Sequence, residues 1–452
     1  MRIIVVGCGK IGTAILSSLV AEGHDVVAID NIPSAITDIS NIFDVICVCG
    51  NGADCEVLKE AEVEKSDLFV AVTGSDELNM LSCFIAKKMG AAHTIARIRN
   101  PEYNDASLGF MRHQLDLSMS INPDLLAAKE LFNLLKLPGA VNIESFSGRS
   151  FEIAELKLKD GSSLDGLSLI DLRKKFKGSF LVCAVLRNGQ VYIPDGNFVL
   201  KSGDKIGITA AQNELPKILK MMGFTGKKAE NIMILGASRS AYYLSKLLIN
   251  SGQSVKVIEI DRDKCLEFSD IVPEATVIMG DGAQQELLLE EGVTSTDAFV
   301  ALTGTDEENI LISIFVSSQN VPKVIAKVNR EELSSMAQNL GLETIISPKK
   351  IISDILVRYA RALQNSLGSN IETLYKIMDS TAEALEFSVS KDFKYVNIPL
   401  KEMKLKPDTL IAGIIRGRRS IIPSGDDVIL AGDRVVIVAA NARIQNLTDI
   451  IR

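Results

Sequence analysis

Three glycines near the start of the chain form the clearest chemical motif in the sequence. Gly7, Gly9 and Gly12 stand in the spacing GxGxxG, directly after the apolar run IIVV and before a helical pattern. In that context the spacing is typical of a nucleotide-binding loop, because glycine lets a pyrophosphate approach the backbone and the helix offers free N–H groups. The candidate loop residues are Gly7, Cys8, Gly9, Lys10, Ile11 and Gly12.

An acidic residue strengthens this prediction. Asp30 ends the next apolar run, 18 residues after Gly12. A carboxylate at this place accepts hydrogen bonds from ribose hydroxyls, which favours NAD(H) or another adenosine nucleotide over NADP. The sequence therefore predicts an adenosine-nucleotide site built from the loop and this acid.

Polar residues follow the later apolar runs of the same unit. Asn51 and Thr73 each end a run, so we expect them at the edge of a parallel sheet where ligands bind. Asp54 could cap a helix or face adenine. Arg97 and Arg99 alternate onto one face and could meet a terminal phosphate or remain solvated.

The same pattern occurs twice along the chain. VAVTGSDELN (70–79) and VALTGTDEEN (300–309) agree at seven of ten positions. Further matches join residues 186–211 to residues 415–440. These matches predict a duplicated unit, with a first half ending near residue 224 and a second half beginning near residue 230.

The second copy of the glycine loop is altered. Only Gly236 of its three glycines remains, and Ser238 brings a side chain to the place where a pyrophosphate would come closest. This site could still take a mononucleotide, or could be occluded. Its candidate residues are Gly236, Glu259, Asp281 and Thr303, which correspond to Gly7, Asp30, Asn51 and Thr73.

Each half divides in two by its hydrophobic pattern. Short apolar runs alternate with helical stretches at first, which predicts βαβ units and a parallel sheet. Shorter alternating strands with turns such as KDG and RNG follow. The predicted fold class is therefore α/β, with two Rossmann-like domains, each followed by a small β-rich α+β domain. The predicted domains are 1–135, 141–224, 230–364 and 370–452.

Composition excludes several classes of function. The net charge of −8 argues against a general nucleic-acid binder, which needs an excess of Lys and Arg. No apolar stretch reaches the roughly 18 to 20 residues needed to span a bilayer. We therefore expect no direct membrane insertion, and a partner must hold the chain if it acts at a membrane.

Catalytic groups are scarce in the sequence. Its three His are widely spaced, its seven Cys include no CxxC pair, and no metal-ligand pattern appears. An NAD-dependent oxidoreductase would need an acid or base such as His113 beside the nicotinamide. We expect the chain not to be an enzyme, with the oxidoreductase as the alternative.

The segments GCGKIG, VVAID, CGNGAD, VAVTGSDELN and ARIRNPEY, followed by RNGxxxIPDG, resemble those of the RCK regulators of potassium transport. Two such units in tandem closely resemble the TrkA family of regulatory subunits of Trk potassium uptake. The resemblance implies a homo-oligomeric ring on the cytoplasmic face of the membrane, bound to a potassium translocator of the TrkH/TrkG type.

The resemblance also implies ligands. NAD(H) and the competing nucleotides ATP and ADP would bind the Rossmann units and gate the translocator. In related regulators the small domains can bind cyclic di-AMP, for which the candidates here would be Arg187, Ile193 and Pro194, or Arg416, Ile422 and Pro423. Packing of turns and strands explains these residues equally well.

Overall fold

The computed structural model describes nearly the whole chain. The described residues are 1–103, 105–137, 139–146, 150–176, 178–224, 229–365, 371–379, 381–440, 444 and 446–452. Four sheets are present in this part of the chain, two parallel and two antiparallel. They alternate along the sequence, which confirms the predicted α/β class of two Rossmann-like units, each followed by a β-rich unit.

The first parallel sheet has six strands in the order β3-β2-β1-β4-β5-β6. Its strands are buried between helices, so they consist of nearly continuous apolar runs. The strand order reverses between β1 and β4, and ligands of open α/β sheets bind at such a point. The elements are β1 Arg2–Val6, α1 Lys10–Ala21, β2 Asp25–Asp30, α2 Pro33–Ile42, β3 Ile46–Cys49, α3 Cys55–Glu60, β4 Leu68–Ala71, α4 Asp76–Met89, β5 His93–Arg97, α5 Asp105–Gln114, β6 Met119–Ile121 and α6 Pro123–Lys136.

A five-stranded sheet in the order β10-β9-β11-β8-β7 follows. Asn188 and Gly189 join β9 to β10, both with positive φ, as a tight hairpin turn requires. The predicted RNG turn is therefore correct. The elements are β7 Asn142–Phe146, β8 Phe151–Lys157, α7 Leu169–Lys175, β9 Phe180–Arg187, β10 Gln190–Tyr192, β11 Lys205–Ala211 and α8 Leu215–Met221.

The second half repeats this architecture. Its sheets have the orders β14-β13-β12-β15-β16-β17 and β18-β19-β22-β20-β21. The elements of the parallel sheet and of its helices are β12 Asn231–Leu235, α9 Arg239–Asn250, β13 Ser254–Glu259, α10 Arg262–Ile271, β14 Thr276–Met279, α11 Gln285–Glu290, β15 Ala298–Ala301, α12 Asp306–Ser318, β16 Lys323–Lys327, α13 Glu331–Asn339, β17 Thr344–Ile346 and α14 Pro348–Asn365. The antiparallel sheet comprises β18 Ile371–Ile377, β19 Ala382–Ser388, β20 Thr409–Arg416, β21 Arg419–Ile421 and β22 Arg434–Ala440.

The two halves exchange a helix. Helix α6 leaves the first parallel sheet and packs on α9 of the second half, where Leu131 and Leu244 share one buried cluster. Helix α14 leaves the second sheet and packs on α1, where Leu356 joins Leu16 and Leu19. Each exchanged helix therefore begins at its own sheet and is buried against the opposite half.

The two antiparallel sheets also pack together. Phe151 of the first and Ala412 of the second lie in one buried cluster. The Tyr375 hydroxyl donates a hydrogen bond to the Ser145 carbonyl at 2.7 Å. A Cβ at Gly413 would lie 2.4 Å from the Phe151 ring, so the close approach of the sheets requires glycine there.

The four domain ranges remain predictions. The strands and helices fall within the ranges 1–135, 141–224, 230–364 and 370–452 except at α6 and α14, which each run one residue past a predicted end. Residues 225–228 and 366–370 near two of the boundaries lie outside the described part of the chain. Among the described residues, no helix has both the length and the apolar character needed to cross a membrane.

Leu356→Ala is expected to destabilise the chain because the side chain is fully buried between α14 and α1. Removing it should cost about 2 to 5 kcal/mol of the free energy of unfolding. Leu311→Ala is the matched control: its side chain is 67% exposed, and the expected change is within about 0.5 kcal/mol. Urea unfolding followed by circular dichroism measures both, and equal losses would contradict the helix exchange.

Candidate nucleotide-binding site

A cleft of about 580 Å³ lies at the carboxyl edge of the first parallel sheet. We call it the first cleft. Three residues of the second half also border it, Asn329, Pro348 and Lys349. Eight residues predicted from the sequence line it: Gly7, Gly9, Lys10, Ile11, Asp30, Asn51, Thr73 and Arg97.

The three glycines of the loop have different physical roles. Gly7 has a φ of 96°, and a Cβ there would lie 2.9 Å from the Thr73 nitrogen. A Cβ at Gly12 would lie 1.7 Å from the Gly7 carbonyl oxygen. At Gly9, by contrast, an added Cβ would meet no described atom within 4 Å. Backbone packing therefore requires Gly7 and Gly12, whereas Gly9 leaves open space in the cleft.

Helix α1 begins at this open space. Its N-cap residue is Gly9, and within the described chain no side chain caps its first turn. The first N–H groups of a helix have no partner inside the helix, and together with the helix dipole they attract anions. The end of α1 can therefore receive a phosphate.

Asp30 holds the glycine loop in place by hydrogen bonds to the backbone. One carboxylate oxygen accepts a hydrogen bond from the Cys8 nitrogen at 2.6 Å, and the other accepts from the Ile32 nitrogen at 2.9 Å. Burial, and then the charge of Asp30, raise the pKa of the Cys8 thiol to about 12. Cys8 is therefore a packed neutral thiol that does not line the cleft, and Asp30 has a structural role in addition to the predicted ribose contact.

The end of β4 is held by a residue that the sequence analysis did not single out. Asn79 is fully buried, and its side-chain oxygen accepts hydrogen bonds from the Thr73 nitrogen and hydroxyl, both at 2.7 Å. Its amide donates to the Arg97 carbonyl at 2.9 Å. Asn309 makes the same bonds to Thr303 in the second half. The repeated asparagine that ends both decapeptides was the available signal.

The aspartate of the same decapeptide holds the loop after β5 in place. Asp76 accepts hydrogen bonds from the backbone nitrogens of Arg99 and Asn100, both at 2.8 Å. The Arg99 guanidinium donates to the Gly74 carbonyl at 2.9 Å and does not line the first cleft. Ser75 caps α4 by accepting from the Leu78 nitrogen. The repeated segment is therefore a structural support for the edge of the sheet.

Arg97 is the arginine that reaches the first cleft. Its side chain is buried and donates to the Thr73 carbonyl. Burial and, next, the nearby Arg99 lower the pKa of Arg97 to about 10. Arg97 remains a cation at neutral pH and supplies positive charge at the floor of the cleft.

Asn51 and Asp54, which both follow β3, have different roles. Asn51 lines the first cleft, and its side chain accepts from the Ala53 nitrogen at 3.0 Å in a local turn. Asp54 caps α3 by accepting from the Glu56 nitrogen at 2.8 Å, and it does not line the cleft. Of the two interpretations that the sequence left open for Asp54, the cap is the one the structure contains.

A second cleft of about 540 Å³ occupies the equivalent edge of the second half. The candidates Gly236, Glu259, Asp281 and Thr303 all line it, and Asn100 of the first half borders it. Here Ser238 caps the helix: its hydroxyl accepts from the Ala241 nitrogen at 3.3 Å. The N-terminus of α9 is therefore capped by a side chain of its own loop, whereas the N-terminus of α1 has no side-chain cap among the described residues.

The candidate arginines of the small domains have partners of their own. Arg187 makes two hydrogen bonds of 2.7 Å to the Asp204 carboxylate. Arg416 pairs with Asp433 in the same way, at 2.9 and 2.7 Å. These buried carboxylates explain the repeated arginine and Gly-Asp pattern as a structural ion pair.

Family models match most of the chain. The TrkA-N domain matches residues 3–110 and 232–348, and the TrkA-C domain matches residues 153–223 and 384–452. The chain belongs to the TrkA family. The tandem order predicted from the sequence, one N domain and one C domain in each half, is the order in which the family domains match.

Curated relatives cover the full chain. It is 32% identical to the Trk system potassium uptake protein TrkA homolog of Archaeoglobus fulgidus, with 100% of each chain covered. It is 29% identical to the Trk system potassium uptake protein TrkA of Vibrio alginolyticus, over 98% of this chain and 96% of that protein. These names place the family in potassium transport rather than among enzymes, as the sequence predicted.

Solved structures share the fold. The RCK domain of GsuK superposes with a TM-score of 0.64 at 16% identity, covering 97% of this chain and 92% of that chain. The GsuK channel bound to NAD superposes with a TM-score of 0.63 at 16% identity, covering 97% and 77%. The TrkA-family chain therefore has the fold of RCK domains.

Asn79→Ala is expected to destabilise the chain strongly, since it leaves the partly buried Thr73 N–H and the buried Arg97 carbonyl without this partner. The expected loss is about 2 to 4 kcal/mol of the free energy of unfolding. Asn51→Ala, an exposed asparagine at the same sheet edge, should change it by less than about 1 kcal/mol. Chemical unfolding distinguishes the two variants, and a harmless Asn79→Ala would refute the assigned support role.

Proposed function

We propose that this TrkA-family chain binds NAD(H) or an adenine nucleotide in its first cleft, and that binding gates a membrane potassium translocator of the TrkH/TrkG type. The family and the names of its relatives support a regulatory subunit of potassium transport. The open helix end at Gly9, the acid Asp30 and the buried cation Arg97 support a nucleotide ligand.

The observation that carries the proposal is that both halves border the first cleft. Gly9 and Asp30 belong to the first half, and Asn329 and Lys349 belong to the second. A ligand in the cleft therefore contacts both halves at once. It shifts the arrangement of the halves by the difference in its affinity for the alternative arrangements, typically about 1 to 3 kcal/mol for coupled sites.

Two nucleotides that compete for the first cleft can have opposite effects on the arrangement of the halves. NAD(H) continues from its pyrophosphate into a second nucleoside, whereas ATP ends in a further charged phosphate. That phosphate would contact Arg97, which lines the cleft, rather than Arg99, which is held by Gly74. We propose ATP and ADP as competitors of NAD(H) on this basis.

The oxidoreductase alternative has less support. Among the described residues, no histidine borders the first cleft, although a dehydrogenase needs an acid or base beside the nicotinamide. His113 belongs to α5 and is not among the residues that border the cleft. The nucleotide is proposed as a signal and not as a reactant.

Assembly and location follow from the family resemblance. We propose a homo-oligomeric ring of these tandem chains on the cytoplasmic face of the membrane, held there by the translocator. Cyclic di-AMP is a weaker candidate ligand of the small domains, because Arg187 and Arg416 already pair with carboxylates. NAD(H) and adenine nucleotides are therefore the ligands that we propose.

Gly9→Ser is expected to weaken nucleotide binding. The new hydroxyl would cap α1 as Ser238 caps α9, and competition for these N–H groups should raise the Kd for NADH by about tenfold or more. Stability should not fall, because a Cβ at Gly9 meets open space. Titration calorimetry on the full chain measures the change, and Gly109→Ser on the exposed face of α5 is the control. An unchanged Kd would show that the glycine loop is not part of the nucleotide-binding site.

The gating function is tested by reconstitution with the translocator. The chain should copurify with it, and potassium flux into vesicles should change when NADH, ATP or ADP is added. The Gly9→Ser variant should still copurify but should respond only at higher nucleotide concentrations. A flux that depends on the chain but not on any of the three nucleotides would overturn the gating proposal.

A further inference from the structure

The two exchanged helices begin alike and then differ in charge. Both α6 and α14 have proline at their first position, Pro123 and Pro348. The next residue is Asp124 in α6 and Lys349 in α14. Because each helix packs on the opposite half, each of these residues lies at the glycine loop of the half to which it does not belong.

Asp124 lies at the second glycine loop. Its carboxylate accepts a hydrogen bond from the Ser240 hydroxyl at 2.8 Å. Ser240 follows Arg239 in the first turn of α9, at the position that Ile11 occupies in the first loop. A carboxylate here adds negative charge beside the helix end where a phosphate would bind.

Lys349 lies at the first glycine loop. It borders the first cleft together with Gly9 and Lys10. Within the described part of the chain, no carboxylate lies within 4.0 Å of its ammonium group. Burial lowers the pKa of this ammonium, and the nearby Asp306 raises it. The cations Lys10 and Arg330 lower the pKa further, and Glu332 raises it.

The position of Lys349 is electrostatically unfavourable for its own helix. A helix N-terminus carries partial positive charge, so a cation in the first turn is destabilising and an anion is stabilising. The first turn of α14 contains no acid, whereas that of α6 contains Asp124. An anion bound between Lys349 and the open end of α1 would relieve this repulsion.

We propose that Lys349 is a phosphate-binding residue of the first cleft, supplied by the second half, and that Asp124 at the equivalent place disfavours phosphate in the second cleft. The inference rests on the proposed function and adds to it a residue from the opposite half. It accounts for a difference between the two clefts. The first combines an open helix end with a cation that lines the cleft, Lys349, and the second has a capped helix end whose first turn is bonded to an anion, Asp124, that does not itself line the cleft.

The experiment is calorimetry of the full chain with two probes, ADP and adenosine. Lys349→Ala should raise the Kd for ADP by about 5- to 20-fold, as expected for loss of a partly exposed charged hydrogen bond. The Kd for adenosine, which has no phosphate, should stay within about twofold. Lys349→Glu, which copies the charge at Asp124, should weaken ADP binding further.

Lys350→Ala is the matched control. Lys350 shares the first turn of α14 but borders a different cavity, beside Glu130 and Asp354. Its loss removes the same charge from the same helix end and should leave the Kd for ADP unchanged. The thermal unfolding midpoint without ligand should not fall in Lys349→Ala, because a cation is removed from a helix N-terminus.

Three outcomes are distinguishable. An ADP affinity that falls while adenosine affinity is retained supports Lys349 as a phosphate ligand. If Lys349→Ala binds ADP like the unchanged chain, or loses ADP and adenosine equally, the inference is overturned while the nucleotide site stands. If the unchanged chain does not bind ADP, the inference is overturned, and if it does not bind NADH either, the proposed function is overturned with it.

Discussion

The burial of the two exchanged helices is the interaction on which the rest of the structure depends. Helix α6 buries Leu131 against the second half, and α14 buries Leu356 against the first. Each fully buried leucine contributes about 1.5 to 3 kcal/mol relative to exposure, so the two helices hold the halves face to face. That arrangement brings residues of each half to the cleft of the other. A ligand in a site bordered by both halves can bind one of their arrangements more tightly than another, and that difference in affinity shifts the arrangement.

The two halves share the residues that hold the edge of each parallel sheet, but they differ in the glycine loop beside that edge. Asn79 and Asn309 are both fully buried and make the same hydrogen bonds, because a lost partner there would leave backbone groups unpaired. The glycine loops follow no such constraint at Gly9, where a side chain has open space. Ser238 was therefore acceptable to the fold at the equivalent place, although it closes the helix end. Stability accounts for what the copies share, and the loop that differs is where the candidate ligand chemistry differs.

The sequence could predict the fold and much of the candidate site because these features are local. The strand and helix patterns, the GxGxxG loop and Asp30 all lie within one βαβ unit, and eight of the predicted residues line the first cleft. Other assignments stayed ambiguous because side chains near strand ends can bind either ligands or backbone. Asp54 caps a helix and Arg99 binds the Gly74 carbonyl. Asn79 was not singled out, because a polar residue within a helix pattern does not by itself indicate burial, and its repetition as Asn309 was the one available signal.

The sequence by itself determined the duplicated α/β architecture, the first glycine loop and the altered second loop, since periodicity and residue spacing act over short stretches of chain. Only the tertiary structure decided which half each crossing helix covers, and therefore that Lys349 borders the cleft of Gly9 while Asp124 meets Ser240. The physical reason is that burial of apolar surface is not directional. The sequence of an amphipathic helix such as α14 shows which of its faces will be buried. It does not show which other element will cover that face.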